Sequence, residues 1–227
     1  KELCQIKFDQ KESKLTGIPY GCFRYCTLLG TEKKTGSNGI TKYDPGSISI
    51  PNSVTYIGGW AFSNSGIAGV TFGEESRLER IEENAFYNCE KLKSFDVPEG
   101  CLYIGIGAFA NCEKIETISI PASVVKIDYG AFYACSNAEI TVNSNNPHYE
   151  MRDGCLYEIG TDTIVFGNRD ISNITSTARN IASGAFYGNT YFAPIRIPLN
   201  ITKIGSLAFG GQPVKVYVEA TSKPEDW

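Results

Sequence analysis

Residues 98–120 read PEGCLYIGIGAFANCEKIETISI, and residues 121–142 continue as PASVVKIDYGAFYACSNAEITV. In each segment an isoleucine is followed five residues later by a phenylalanine, and in the first segment the next strand-like stretch ends before a proline, Pro121. The same pair occurs seven times along the chain, as Ile18/Phe23, Ile57/Phe62, Ile81/Phe86, Ile104/Phe109, Ile127/Phe132, Ile181/Phe186 and Ile204/Phe209. An internal repeat of this kind decides the fold before any single residue is considered.

The spacing of the repeat phenylalanines predicts a stack of coils. Successive spacings are 39, 24, 23, 23, 54 and 23 residues. A period near 23 falls in the range of leucine-rich-type repeats, in which each coil buries its apolar side against its neighbours. We therefore expect a β-rich α/β leucine-rich-repeat solenoid, a right-handed superhelix of roughly 23-residue coils with one parallel sheet.

Each position of the repeat has a physical interpretation. Alternating pairs such as Ile118/Ile120 and Ile140/Val142 predict a short strand with one buried face. The proline that follows ends the strand because it lacks the N–H donor. The Ala-Phe stretch is too short for an independent helix and predicts a single helical or 3₁₀ turn. A glycine four residues before the phenylalanine, as at Gly105, predicts a tight bend.

The irregular spacings locate two insertions in one predicted solenoid domain, residues 1–227. The first, residues 30–46, is rich in glycine and polar residues. The second, residues 145–170, predicts two strands, Cys155 to Glu158 and Thr163 to Phe166, around a Gly-Thr-Asp turn. We expect this β-hairpin to protrude from the solenoid. Residues 1–17 predict an N-terminal cap that covers the end of the core.

Composition excludes several classes of protein. The chain has 227 residues, 21 basic and 25 acidic, for a net charge of −4, which argues against a nucleic-acid binder. No apolar run approaches the ~20 residues of a membrane span, so no membrane insertion is expected. The chain begins at Lys1 without a signal peptide, and we expect a leader that has been removed or truncated.

The eight cysteines fall mainly into core positions of the repeat. Cys26, Cys89, Cys112 and Cys135 each follow the repeat phenylalanine by three residues, and Cys22 occupies the alanine position of its coil. Free cysteine behaves as a small hydrophobe, so free buried thiols are the favoured prediction. Neighbouring coils would place such cysteines roughly 5 Å apart, so a disulfide between coils is the alternative prediction.

The string IPxSVTxIGxxAFxxCxxLxxIxI resembles the BspA-like, or Treponema pallidum-type, leucine-rich repeat. It is found in ISIPNSVTYIGGWAFSNS, FDVPEGCLYIGIGAFANC, ISIPASVVKIDYGAFYAC and IRIPLNITKIGSLAFGG, and the resemblance covers residues 18–218. The inserted DGCLYEIGTDTIVFG also resembles a hairpin common in this family. The resemblance implies a secreted or cell-surface protein of a host-associated bacterium or a protist, associated with adhesion. The shared motif is core, so it implies the fold and leaves the partner open.

Few residues are candidates for catalysis or metal binding. The single histidine, His148, could pair with Cys155, although an exposed loop histidine is the simpler interpretation. No Cys-x-x-Cys pair is present, and adjacent carboxylates such as Glu82 and Glu83 are typical of solvated coil edges. We therefore expect no enzyme, no cofactor and no metal.

Two sets of surface residues are candidate binding sites. The outward positions of the predicted strands form a mixed stripe, which includes Asp96, Ser119, Thr141, Arg196 and Tyr217. Tyr87, Tyr133 and Tyr187 each follow the repeat phenylalanine directly, so stacking would align them along one ridge. Tyrosine is enriched at protein interfaces. The alternative interpretation is that these rings merely cover the edges of the core.

These features favour a non-enzymatic extracellular interaction module that binds a host or cell-surface protein across an extended face. A carbohydrate-binding module, with the same rings stacked on sugars, is the first alternative. The second is a structural spacer within a longer surface protein.

Overall fold

The computed structural model describes residues 8, 13–35, 41–44, 46–168, 171, 173–188, 194–211 and 215–219. Most of the predicted cap, residues 1–17, lies outside these residues, as do positions 36–40 and 45 of the first insertion. The first part of the chain contains β1 (Gly17–Ile18), β2 (Glu32–Thr35), β3 (Thr41–Asp44), β4 (Ser47–Ile50), β5 (Tyr56–Ile57), β6 (Gly69–Phe72), β7 (Arg80–Ile81), β8 (Ser94–Asp96), β9 (Tyr103–Ile104), β10 (Thr117–Ile120), β11 (Lys126–Ile127) and β12 (Glu139–Val142). The remainder contains β13 (Tyr149–Arg152), β14 (Cys155–Glu158), β15 (Thr163–Gly167), β16 (Asn180–Ile181), β17 (Ile195–Ile197), β18 (Lys203–Ile204) and β19 (Val216–Val218), with a 3₁₀ turn at Ile159–Thr161.

The solenoid is present, but each coil contributes two strands rather than one. The strands before the prolines form parallel sheets in the orders β4-β6, β8-β10-β12 and β17-β19. A second series, two residues long and ending at the repeat isoleucine, forms the parallel sheet β1-β5-β7-β9-β11. The prediction of one parallel sheet is therefore wrong, because two-residue strands give no alternation in the sequence. We call the first series the long-strand face and the second the short-strand face.

The Ala-Phe segment is a run of hydrogen-bonded turns, and the described residues contain no α-helix. Coils are joined here as well, since the Phe86 N–H donates to the Ala108 carbonyl oxygen at 2.8 Å. Left-handed backbone recurs two residues before and two residues after each phenylalanine. The described positions are Gly21, Tyr25, Trp60, Asn64, Asn84, Asn88, Gly107, Asn111, Gly130, Ala134, Gly184, Gly188, Leu207 and Gly211.

The Gly105 position serves a different purpose from the predicted bend. A Cβ there would lie 2.7 Å from the backbone nitrogen of Glu83 in the preceding coil, so glycine is required by close approach. The left-handed positions on either side of the phenylalanine supply the bends instead.

Repeat phenylalanines stack along the centre of the solenoid. The rings of Phe62 and Phe86 lie 5.2 Å apart and 8° from parallel, and those of Phe86 and Phe109 lie 5.5 Å and 3°. Phe186 and Phe209 stack in the same way at 5.1 Å. Offset stacking of this kind adds to area burial, so the phenylalanine column fixes the register of one coil on the next.

The cysteines that follow the repeat phenylalanines by three residues are buried beside this stack. Cys26, Cys89, Cys112 and Cys135 are buried, as predicted, and none of the seven described cysteines forms a disulfide. Cys22 differs, since it is exposed although the equivalent alanines of the next coils are buried.

The second insertion does not protrude. Its two predicted strands are β14 and β15, which pair antiparallel, and β13 adds a third strand on the other side of β14. β15 also pairs in parallel with β16, so the segment joins the short-strand face. Leu156, Tyr157 and Ile164 are fully buried, because the hairpin replaces part of a coil.

This segment separates the coils on one side only. On the short-strand side, β13 to β15 precede β16 in the sheet β13-β14-β15-β16-β18, which is separate from the sheet that ends at β11. On the turn side the flanking coils stay in contact, since the Ala134 N–H donates to the Tyr187 carbonyl oxygen at 3.1 Å. Phe166 of β15 packs edge-on against Phe132 at 5.8 Å and continues the aromatic core.

Candidate functional site

The long-strand face presents part of the predicted stripe in register. Asp96, Ser119 and Thr141 occupy equivalent positions on β8, β10 and β12, and their side chains point outward. The Ser119 hydroxyl donates a 2.7 Å hydrogen bond to Asp96 Oδ1. This contact orients one carboxylate oxygen along the sheet, and the rest of the carboxylate faces solvent.

The other part of the stripe lies beyond the second insertion. Arg196 and Tyr217 face each other on β17 and β19, and the Arg196 guanidinium carbon lies 5.6 Å from the centre of the Tyr217 ring. Tyr217 is 52% exposed. Arginine and tyrosine held in contact are the residue types most enriched at binding hot spots. The structure thus brings the predicted stripe together as two patches, one on each side of β13–β15.

The predicted tyrosine ridge is less exposed than the sequence suggested. Tyr133 and Tyr187 stack at 5.1 Å, and both are half-buried. Burial raises the pKa of the Tyr133 hydroxyl. A Cβ on Gly184 would lie 1.6 Å from the Tyr133 ring, so this ring covers the backbone of the neighbouring coil.

Tyr87 belongs to a separate group. Its ring lies 5.5 Å from Trp60, and its hydroxyl accepts a 2.9 Å hydrogen bond from Asn111 Nδ2. The coil between Tyr87 and Tyr133 carries Ala110 at the equivalent position, so the three tyrosines do not form one continuous ridge. Their contacts indicate packing, and a role in binding stays a prediction.

A cleft of about 480 Å³ adjoins the first patch, between β6 and β8. The long-strand face is interrupted here, because β6 pairs with β4 and β8 pairs with β10. Thr71 and Asp96 lie on its rim, and Val70 and Val97 contribute apolar surface. The sequence signal for this break is the spacing of 24 rather than 23 residues between Phe62 and Phe86.

The candidate catalytic pair is not assembled. His148 is exposed and directly precedes β13, whereas Cys155 is buried and begins β14 at the other end of the hairpin. Cys155 pairs with Arg152, which lies four residues from His148, so the two side chains are separated by about 14 Å along the strands. Burial and the neighbouring Asp153 raise the pKa of the Cys155 thiol to about 12, which opposes nucleophilic thiolate formation.

Among the described residues, no three histidine, cysteine or carboxylate side chains are grouped to hold a metal ion. Within the same part of the chain, no helix is long and apolar enough to cross a membrane.

A second group of surface residues lies on the short-strand face and was not among the predicted binding sites. Tyr103 lies between two cations, with the Arg80 guanidinium 4.3 Å and the Lys126 ammonium 5.7 Å from its ring centre. The Tyr103 hydroxyl donates a hydrogen bond to Asp128. Burial and this carboxylate raise the pKa of Tyr103 to about 12. The available signal was the alternation of tyrosine with a cation at the first residue of β5, β7, β9 and β11.

Known proteins support the fold. The family model described as the BspA type leucine rich repeat region matches residues 33–158 and 158–219, in six copies. A leucine-rich repeat protein from Eubacterium ventriosum has a TM-score of 0.71 and 23% identity over 95% of this chain and 60% of that protein. The pneumococcal vaccine antigen PcpA has a TM-score of 0.57 and 21% identity over 92% of this chain and 61% of that protein.

The Treponema pallidum leucine-rich repeat protein is similar with a TM-score of 0.52 and 19% identity, over 94% of this chain and 72% of that protein. The chain spans less than two thirds of the length of the Eubacterium ventriosum protein and of PcpA. No curated protein sequence matches it.

Proposed function

We propose that this chain, which belongs to the BspA-type leucine-rich repeat family, is a non-enzymatic module that binds a protein partner through its long-strand face. The surface of a bacterial cell, or the medium around it, is the proposed location. The likeness in fold to a pneumococcal vaccine antigen supports this location.

The observation that carries the proposal is the register of the outward side chains. Asp96, Ser119 and Thr141 lie side by side on adjacent strands, and Arg196 lies beside Tyr217. Backbone pairing holds the positions of these side chains, so a partner meets a surface that is largely ordered before binding. Preorganisation of this kind lowers the entropic cost of association.

The two patches have different roles in this proposal. Arg196 and Tyr217 supply the anchor, since a ring and a guanidinium combine apolar area with directional hydrogen bonding. Asp96, Ser119 and Thr141 supply a polar surface that selects among partners by hydrogen bonding and charge. Tyr87, Tyr133 and Tyr187 hold neighbouring coils and contribute to the site by fixing its geometry.

Carbohydrate binding is the second candidate, because an exposed tyrosine ring also stacks on the apolar face of a sugar. Tyr217 is the exposed ring that favours it. A spacer within a longer surface protein is a third, and it requires no binding by either patch.

A binding panel distinguishes these functions. We expect saturable binding to at least one of a set of immobilised extracellular-matrix proteins such as collagen, fibronectin and laminin. The double variant Arg196→Ala/Tyr217→Ala should lose at least about tenfold in affinity, as for a hot-spot pair. Thr202→Ala, an exposed residue outside both patches, is the matched control.

A glycan array is run with the same variants. Saturable sugar binding that depends on Tyr217, with no protein binding, would replace the protein-partner proposal with the carbohydrate one. Equal binding by the double variant and wild type would remove the Arg196/Tyr217 patch from the site.

A further inference from the structure

The short-strand face between Phe62 and Phe132 carries a second, regular surface. Each coil presents the first residue of its short strand and the residue two positions later, on either side of the buried isoleucine. We call these residues the Tyr103 face, which consists of Tyr56, Gly58, Arg80, Glu82, Tyr103, Gly105, Lys126 and Asp128.

The two positions are matched within each coil. Where the first residue is a cation, the second is a carboxylate, as in Arg80 with Glu82. Where the first residue is a tyrosine, the second is a glycine, as in Tyr103 with Gly105. The register of β5, β7, β9 and β11 aligns these residues in two parallel rows along the stack. One row contains both cations, and the other contains both carboxylates.

The charged side chains of this face are held in place. Arg80 Nε lies 2.6 Å from Glu82 Oε1, and Lys126 Nζ lies 3.1 Å from Asp128 Oδ1. The Tyr103 ring lies between Arg80 and Lys126. The rows are therefore fixed patterns of charge at the surface rather than freely rotating side chains.

Exposed apolar side chains flank the rows in the coils of Phe109 and Phe132. Leu102 and Val125 lie beside the cationic row, 45% and 50% exposed. Ile106 and Tyr129 lie beside the acidic row, 53% and 44% exposed. Two apolar strips with tyrosine and arginine between them have the composition of a protein interface.

We propose that the Tyr103 face binds a second copy of this chain, with the two-fold axis parallel to the stacking direction of the coils. Rotation about such an axis lays the cationic row of one copy on the acidic row of the other. Arg80 then faces Glu82 of the other copy, and Lys126 faces Asp128. The Tyr103 ring faces the backbone of Gly105, which carries no side chain.

The apolar flanks are matched by the same rotation. Leu102 faces Ile106 of the other copy, and Val125 faces Tyr129. An axis perpendicular to the stack, through Tyr103, would instead place Arg80 opposite Lys126. Charge complementarity therefore selects the parallel arrangement, and a two-fold axis makes every contact occur twice.

One pair opposes the association. Glu79 and Glu83, both exposed, face each other across the proposed interface at its rim. Asn84 Nδ2 donates a 2.9 Å hydrogen bond to Glu83 Oε1 and holds it in place. Rim charges remain hydrated and change affinity little, so this pair weakens the dimer without preventing it.

Charge exchange tests the pairing. In Arg80→Glu both rows of that coil are acidic, and in Glu82→Arg both are basic. We expect wild type to form a concentration-dependent dimer in sedimentation velocity up to about 200 µM, the range of a modest interface. Each single variant should be at least about tenfold weaker in self-association, because like charges face each other twice.

An equimolar mixture of the two single variants should form a heterodimer within about threefold of the wild-type affinity, since each acidic coil then faces a basic one. The double variant Arg80→Glu/Glu82→Arg should dimerise as wild type does. Lys203→Glu, an exposed cation at the equivalent position of β18, is the matched control and should not change self-association.

A monomeric wild type at every concentration would overturn the proposal. Dimerisation of each single variant on its own, or failure of the mixture to associate, would overturn this pairing of faces. Circular dichroism and thermal melting confirm that the variants are folded. The proposal does not depend on the long-strand face, and matrix-protein binding by the Arg80→Glu variant separates the two.

Discussion

The thiol of Cys112 donates a hydrogen bond to the backbone carbonyl oxygen of Phe86 in the preceding coil, at a distance of 3.2 Å. Cys89 makes the same contact with Phe62 at 3.1 Å, and Cys135 makes it with Phe109 at 3.0 Å. Cysteine at this position therefore fills the core and also ties each coil to the one before it.

Replacement of Cys112 by alanine should lower the free energy of unfolding by about 2 kcal/mol, through the lost hydrogen bond and a small cavity. Urea unfolding followed by circular dichroism measures this change. Cys22→Ala is the control, since Cys22 is exposed and should change stability by less than about 0.5 kcal/mol. Equal effects of the two substitutions would contradict the role assigned to the buried cysteines.

The buried thiols also predict a loss of stability in alkali. Burial raises the pKa of Cys135 to about 12 from an ordinary value of 9.0. Above pH 9 the unfolded chain loses this proton while the folded chain keeps it. The free energy of unfolding is therefore unaffected by this thiol below pH 9 and falls as the pH rises toward 12.

Urea unfolding between pH 8 and pH 11 should show this decline. Above pH 9, a thiol shifted in this way contributes a loss of about 1.4 kcal/mol per pH unit. Cys135→Ala should decline less steeply than wild type by about this amount, whatever its stability at neutral pH. Parallel curves for the two proteins would show that Cys135 titrates equally in both states.

The left-handed position after the repeat phenylalanine predicts a stabilising substitution. Asn64, Asn88 and Asn111 occupy it in three coils, whereas Ala134 has φ 55° there. Asparagine tolerates this conformation better than alanine does, so Ala134→Asn should raise the free energy of unfolding by about 0.5–1 kcal/mol. Asn111→Ala is the reciprocal variant and should lower it by about 1–2 kcal/mol, because it also removes the hydrogen bond to Tyr87. A stability gain in the second variant would contradict the conformational argument.

The repeat made much of this fold predictable. Core positions such as Ile104 and Phe109 recur because every coil must bury the same surface, and a periodic constraint is visible in one sequence. The strands of the second insertion were predictable for a different, local reason, since Cys155–Glu158 and Thr163–Gly167 are largely apolar runs around a turn.

The candidate site was less predictable. The exposure of a tyrosine depends on the residue that its neighbour coil supplies, so Tyr133 is covered beside Gly184 while Tyr217 remains open. The place of the second insertion also depends on long-range pairing, since β15 pairs with β16 across the 12 intervening residues 168–179, which carry no strand pattern. Neither relationship is local in sequence.

The contact between Tyr133 and Gly184 predicts that substitutions at these two positions have non-additive effects on the free energy of unfolding. Gly184→Ala places a Cβ 1.6 Å from the Tyr133 ring in a left-handed position, so it should lower the free energy of unfolding by about 3 kcal/mol or more. Tyr133→Ala should lower it by about 2 kcal/mol through lost packing. The double variant should be less destabilised than the sum by at least about 1 kcal/mol, because the clash is gone. Strict additivity in urea unfolding would show that the ring is free to move aside.

A buried hydroxyl group stabilises the junction between the repeat and the second insertion. Tyr149 is 2% exposed, and its hydroxyl accepts a 2.8 Å hydrogen bond from the Ile127 N–H, the donor that the next short strand would otherwise have paired. Tyr149→Phe keeps the ring and leaves this N–H without a partner, so it should lower the free energy of unfolding by about 1–3 kcal/mol. Hydrogen exchange should show faster exchange at Ile127, while the amide of Phe86 on the turn side stays protected. Tyr25→Phe, at an exposed ring, is the control and should change neither quantity. Unchanged protection at Ile127 would mean that the insertion is not held to the repeat through this contact.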